Sequence, residues 1–134
     1  MVPGGRRESL EGVIEGVRQR ARWAGNFAGF RWPYVHFTPE EYRALAERAG
    51  LRVARLHVED KAWDFKTREA FIAFAQATFV EWTQRLPEGE WDTFIGDVLD
   101  RYQSVAADSP QEANTFKFYQ MEVELTPLPR PSAL

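Results

Sequence analysis

The sequence of 134 residues predicts an α/β chain, α+β if it stands alone, with about four helices and two long strands pairing antiparallel. Three observations carry this. Residues 38–58 read as a helix that ends at a glycine and steps directly into a β-branched run. Residues 67–105 carry two amphipathic helices at three-and-four spacing, and residues 115–125 alternate apolar with polar side chains as a one-faced strand does. The length fits one ordinary domain, taken here as 1–126, followed by a Pro-rich tail at 127–134.

In chain order, Gly4-Gly5 forms a turn and Ser9 caps a helix over 9–22, with Leu10, Val13, Ile14, Val17 and Ala21 on one face. Residues 23–37 place six aromatics in fifteen positions with neither helical nor strand period, and are expected to be a buried loop or pocket wall. Thr38-Pro39-Glu40-Glu41 sets a capping box with proline at the first helical position. Tyr42, Leu45, Ala46 and Ala49 form the predicted buried face, and Gly50 stands where a left-handed cap is expected. Leu51–Val58 then reads as a strand. Thr67 caps a long helix carrying Phe71, Ile72, Phe74, Ala75, Phe79 and Trp82, which Leu86-Pro87-Glu88-Gly89 breaks. The next helix aligns Trp91, Phe94, Ile95, Val98, Leu99, Tyr102 and Val105. In the last strand Tyr119, Met121, Val123 and Leu125 alternate with Gln120, Glu122 and Glu124, and the prolines after Thr126 are expected to end it.

Composition narrows the function. Seventeen Lys and Arg against twenty Asp and Glu are scattered rather than striped, so the sequence points away from nucleic acid. The absence of cysteine removes disulfides, thiolate metal sites and cysteine nucleophiles. No apolar run is long enough for a membrane span, and the first residues lack the apolar stretch of a signal peptide. The chain is therefore read as cytoplasmic, with no membrane partner. His36 and His57 are too few and too isolated for a metal cluster, and the serines fall at a cap, a helix end, a turn and the tail, so no metal site or nucleophilic triad is expected.

The segment Phe37-Thr38-Pro39-Glu40-Glu41-Tyr42-Arg43-Ala44-Leu45-Ala46-Glu47-Arg48-Ala49-Gly50-Leu51-Arg52-Val53 resembles the last crossover helix and sixth strand of class I S-adenosylmethionine-dependent methyltransferases. Leu86-Pro87-Glu88, followed by residues 94–102, is similar to that family's inserted helices, and residues 115–123 to its final antiparallel strand. The resemblance covers residues 1 to about 126. It implies the carboxyl-terminal portion of a Rossmann-like methyltransferase fold, with strands one to five outside this sequence. The family's cofactor loop, acidic-x-Gly-x-Gly-x-Gly, and its ribose-binding carboxylate do not occur here; Gly4-Gly5 resembles the turn around the fifth strand. No cofactor-binding residue is assigned, and S-adenosylmethionine is expected only with the missing half supplied.

On that resemblance Trp23, Phe27, Trp32, Tyr34, Phe71, Phe79 and Trp82 would wall an apolar pocket for a small-molecule acceptor, and His36 is the candidate base. The same rings could instead fill a core or cover an interface, and His36 could simply pack. Two functions follow. One is the acceptor-binding portion of a small-molecule methyltransferase, inactive without its cofactor half. The other is a non-catalytic remnant that acts as a dimerisation or partner-binding module. The partner would be a second copy or a separate cofactor-binding chain, because two strands alone leave edges that invite pairing.

Overall fold

The computed structural model describes residues 7–32 and 34–129, so the Gly4-Gly5 turn, Pro33 and residues 130–134 of the tail lie outside the described residues. Its helices are α1 (Leu10–Arg18), α2 (Ala21–Ala24), α3 (Pro39–Arg48), α4 (Arg68–Thr78), α5 (Val80–Thr83) and α6 (Trp91–Ala106). Strands β1 (Leu51–Asp64) and β2 (Thr115–Pro127) pair as a two-stranded sheet. The class is therefore mixed, α+β, with an antiparallel pair. The described chain divides into a helical unit, residues 7–32, 34 and Ala62–Lys117, and a ribbon unit, Val35–Lys61 and residues 118–129.

In the helical unit the Ser9 hydroxyl accepts from the Gly12 N–H at 3.0 Å and starts α1, whose Leu10, Val13, Ile14 and Val17 are all buried. The helix expected over 9–22 is in fact two. Arg20 adopts an extended conformation, and its carbonyl accepts from the Trp23 and Ala24 N–H groups at 2.9 Å each to begin α2. Residues 23–27, expected as loop, are therefore helical, α2 and then a 3-10 turn over Gly25–Phe27, and they bury Trp23 and Phe27.

The long helix after Thr67 is also interrupted. Thr67 caps α4 as expected, its hydroxyl accepting from Ala70 N–H at 3.1 Å. At the far end the Thr78 hydroxyl donates to the Phe74 carbonyl at 2.8 Å, Phe79 leaves helical geometry (ψ 17°), and α5 restarts at Val80. Both Phe79 and Trp82 are buried by this break. On α6, Phe94, Ile95, Val98, Leu99 and Tyr102 are closed from solvent, whereas Trp91, predicted on the same face, sits at the first turn and turns its indole N–H back to the Leu86 carbonyl at 3.0 Å. These side chains join α1, α2, α4 and α5 in one core cluster. The Tyr102 hydroxyl lies at its edge, accepting from the Lys117 N–H at 2.9 Å and donating to the Lys117 carbonyl at 3.0 Å, which ties the first residues of β2 to α6.

In the ribbon unit the predicted capping box is formed. Thr38 Oγ1 accepts from Glu41 N–H at 3.1 Å, and Glu41 Oε1 accepts from Thr38 N–H at 3.4 Å. Gly50 takes the expected left-handed conformation, φ +83°, and releases the chain into β1. The predicted buried face of α3 is only partly covered: Ala46 is buried and Tyr42 half-buried, but Leu45 is 40% exposed and Ala49 is exposed. β1 runs to Asp64 rather than Val58, because its partner is long enough to keep pairing with it. β2 likewise passes Leu125 and includes Pro127, and the Leu128 N–H donates to the Gly50 carbonyl at 2.9 Å. A proline at the end of an edge strand forfeits one donor that the ladder does not need there. The other end of the ribbon closes with Phe65 N–H on the Asn114 carbonyl at 3.0 Å. Between these two closures β1 carries one residue more than β2, so the ladder absorbs one extra residue on β1.

Among the described residues no helix is long and apolar enough to cross a membrane.

Candidate functional site: an aromatic wall in the helical unit

All seven rings expected to line an acceptor pocket belong to the helical unit, and six of them, all but Trp32, fall into three groups. Trp23, delivered by α2, meets Phe94 edge-on at 5.3 Å, and Phe27 lies against the same Phe94 at 5.7 Å. Phe79 and Trp82, from either side of the α4–α5 break, pack at 6.4 Å, and Tyr34 lies 5.8 Å from Trp82. Phe71 stands in a separate nest, stacked on Phe65 at 4.9 Å and edge-on to Tyr102 at 6.3 Å. Trp23, Phe27, Phe71, Phe79 and Trp82 are each no more than 3% exposed. Trp32 and Tyr34 are open, at 39% and 45%.

The first two groups are bridged by Phe30, which sequence reasoning left out of the candidate set. It lies 5.4 Å from Phe27 and 6.2 Å from Trp82. Two guanidinium groups lie over this half-buried ring, Arg18 at 4.9 Å and Arg85 at 5.4 Å from its centroid. Phe94 was recognised as an α6 core position, but its place at the junction of Trp23 and Phe27 was not. Neither role is visible in periodicity, since both depend on rings contributed by other elements.

The two buried indoles differ in their polar satisfaction. Trp23 Nε1 donates to Asp97 Oδ2 at 2.9 Å, whereas Trp82 Nε1 is buried without a hydrogen-bond acceptor among the described residues. A donor in that state costs about 1–3 kcal/mol unless something supplies an oxygen. The wall can therefore do two things chemically: offer ring faces at its open Tyr34 side, and keep the closed rings, with the Trp82 donor among them, away from solvent.

His36 belongs to the ribbon unit and is half-buried there. His57 is exposed, with Nε2 3.2 Å from Glu59 Oε1. No group of three or more His, Cys, Asp or Glu side chains that could hold a metal ion occurs among the described residues.

The strand-to-helix step from β1 to α4 runs Asp64-Phe65-Lys66-Thr67 with no glycine. It is closed by its own bonds instead: Lys66, at φ +68°, donates its N–H to Asp64 Oδ1 at 2.7 Å, and Thr67 N–H donates to the Phe65 carbonyl at 2.8 Å. Gly29 and Gly50, the described glycines with positive φ, are isolated rather than grouped in one loop.

Charged groups meet a buried cation at the foot of β2. The buried Lys117 ammonium pairs with Glu112 at 2.7 Å and Asp108 at 3.0 Å. Burial opposes its charge, but the hydrogen bonds it donates to Glu112 and Asp108 prevail and raise its pKa. Glu112 is held below the ordinary carboxylate value, first by the Lys117 hydrogen bond and then by the Asp108 N–H. Burial raises the Tyr102 phenol, against the opposing hydrogen bond from the Lys117 backbone. These groups clamp the turn after α6 to β2, a structural role.

Comparison with models of known protein families, with curated proteins and with solved structures returned no match.

Proposed function

We propose that this chain is the acceptor-binding portion of a small-molecule S-adenosylmethionine-dependent methyltransferase of class I, and that it does not bind the cofactor without the Gly-rich half. The observation that carries this reading is the order of elements. A capped helix passes through a left-handed glycine into β1, α4 to α6 follow, and β2 returns antiparallel to β1. That is the order in which the resembling family places its last crossover helix, sixth strand, inserted helices and final strand. The open edge of the wall, Phe30 and Tyr34, is where an apolar acceptor would lie, with the closed rings behind it as a rigid floor. The chain's contribution to transfer would be alignment of the acceptor atom, which accounts for much of the barrier reduction in such displacements.

A second reading is favoured by a specific observation: five of the seven rings are closed by their own neighbours, as in a core rather than a pocket. In this reading the chain is a non-catalytic partner-binding or dimerising module, and the long two-stranded ribbon supplies the pairing edge.

Calorimetric titration of S-adenosylmethionine into the purified chain, and then into the chain mixed with a Gly-rich-loop polypeptide encoded beside it, separates the two. The proposal expects no saturable heat from the chain alone and saturable heat from the mixture. Saturable heat from the chain alone overturns it, and silence from both favours the second reading.

A further inference from the structure

Helix α1 packs against α6, and the seam between them is not completely filled. A cavity of about 240 Å³ is lined by Glu8, Val13, Gly16, Val17, Arg20 and Arg101, all in the helical unit. Gly16 opens it, since a Cβ at that position would meet nothing within 4 Å, and the buried Val13 and Val17 provide an apolar floor.

Charge decides what this cavity can hold. Four other arginines of the unit are engaged: Arg18 with Glu15, Arg68 with Asp100 at 2.8 Å, Arg85 with the Ala28 carbonyl, and Arg22 over the Trp23 ring. The guanidinium groups of Arg20 and Arg101 have no hydrogen-bond, ion-pair or ring partner among the described residues, and they line the same cavity. The carboxylates closest to them in sequence each have another partner, although Glu15 Oε1, like Glu11 Oε2, is buried without one among the described residues. Glu15 pairs with Arg18, Asp97 accepts from Trp23 Nε1, and Asp100 pairs with Arg68. Two guanidinium groups against the single Glu8 carboxylate leave a local positive balance in a chain whose formal charge is −3. Both arginines are mounted on fixed backbone, Arg20 at the corner whose carbonyl starts α2 and Arg101 within α6.

We infer that this cleft is a binding site for a small oxyanion ligand, a carboxylate or phosphate group bridging Arg20 and Arg101 with a short apolar body against Val13 and Val17. Guanidinium groups suit planar, bidentate oxyanions. The volume is below that of a drug-sized pocket, and Glu8 disfavours a second negative group, so a ligand of low charge and few heavy atoms is selected. The inference does not depend on the methyltransferase-like reading.

The test is titration of the full chain at low salt with butyrate and with inorganic phosphate, followed by calorimetry or amide chemical shifts. The expected result is saturable binding of both at one site, weakened roughly tenfold by Arg20→Gln and by Arg101→Gln and tightened by Glu8→Gln. Tighter butyrate would assign a carboxylic acid, and tighter phosphate a phosphate ester. Gly16→Leu should block both probes while leaving the unfolding midpoint intact. Absence of saturable binding by either probe, or binding unchanged in both arginine variants, overturns the inference.

Discussion

Helices α3 and α6 show opposite relations between local signal and burial. The first has a complete capping box, proline at its first position and a left-handed glycine after it, yet Ala46 is its one buried side chain. The second has no side-chain cap, with Glu90 at its N-cap making no such bond, yet Phe94, Ile95, Val98, Leu99 and Tyr102 are closed from solvent. Caps specify where a helix starts and stops; they do not give it anything to pack against. Most helical stability in a folded protein comes from packing of an apolar face. The same contrast separates the two units. The helical unit completes its core from its own elements, whereas in the ribbon unit Ala46 and Val53 are the buried apolar side chains and Leu45, Leu125 and Leu128 remain open.

Large-to-small substitutions measure that difference directly. Phe94→Ala removes the ring on which Trp23 and Phe27 both rest, and should cost about 3–5 kcal/mol in denaturant unfolding. Val53→Ala in the ribbon unit should cost about 1–2 kcal/mol, little more than the transfer of its methyl groups. Equal losses would break the comparison. Tyr102→Phe sits between them. It keeps the ring but leaves the buried Lys117 N–H and carbonyl without their hydroxyl partner, for an expected loss of about 1–3 kcal/mol by thermal or denaturant melts. A neutral outcome would mean that water replaces the hydroxyl.

What the sequence made legible follows the same division. Ser9, Thr38, Thr67 and Gly50 act at the positions that their local chemistry predicts, because a cap or a left-handed turn needs only its near neighbours. The breaks at Arg20 and Phe79 were not legible. Each interrupts an unbroken helical period so that Trp23 on one side and Phe79 with Trp82 on the other can turn inward, a demand set by rings distant in sequence. The candidate wall shares this limit. Its ring-rich segment was recognisable from composition, but the division of six of its rings into three groups, and the bridging role of Phe30, depend on Phe94 of α6, Phe65 and the α4–α5 break. The Arg20–Arg101 cavity was invisible for the same reason: its two cations lie on different helices, and their freedom appears only after the neighbouring carboxylates are assigned.

The smallest expected effect concerns pH and the foot of β2. Glu112 is depressed below its ordinary value of 4.5 by the Lys117 hydrogen bond and then by the Asp108 N–H. A depressed carboxylate contributes stability that is fully present above its unfolded pKa and is lost as pH falls through the lower folded value, so this link weakens on the acid side of 4.5. Lys117, raised above 10.5, contributes in the opposite sense: its share is present below 10.5 and is lost as pH rises through the folded value. Between those limits the link is intact. The Asp108 side chain is 90% exposed, so solvent screens its part of the interaction. Lys117→Met should therefore change the shape of the stability curve more than its height, giving a shallower fall on acidification and no loss on the alkaline side from this group. Melts across the acid range compare the two proteins. Parallel acid limbs would show that Glu112 gains nothing from its partner, and that Tyr102 alone holds the start of β2 to α6.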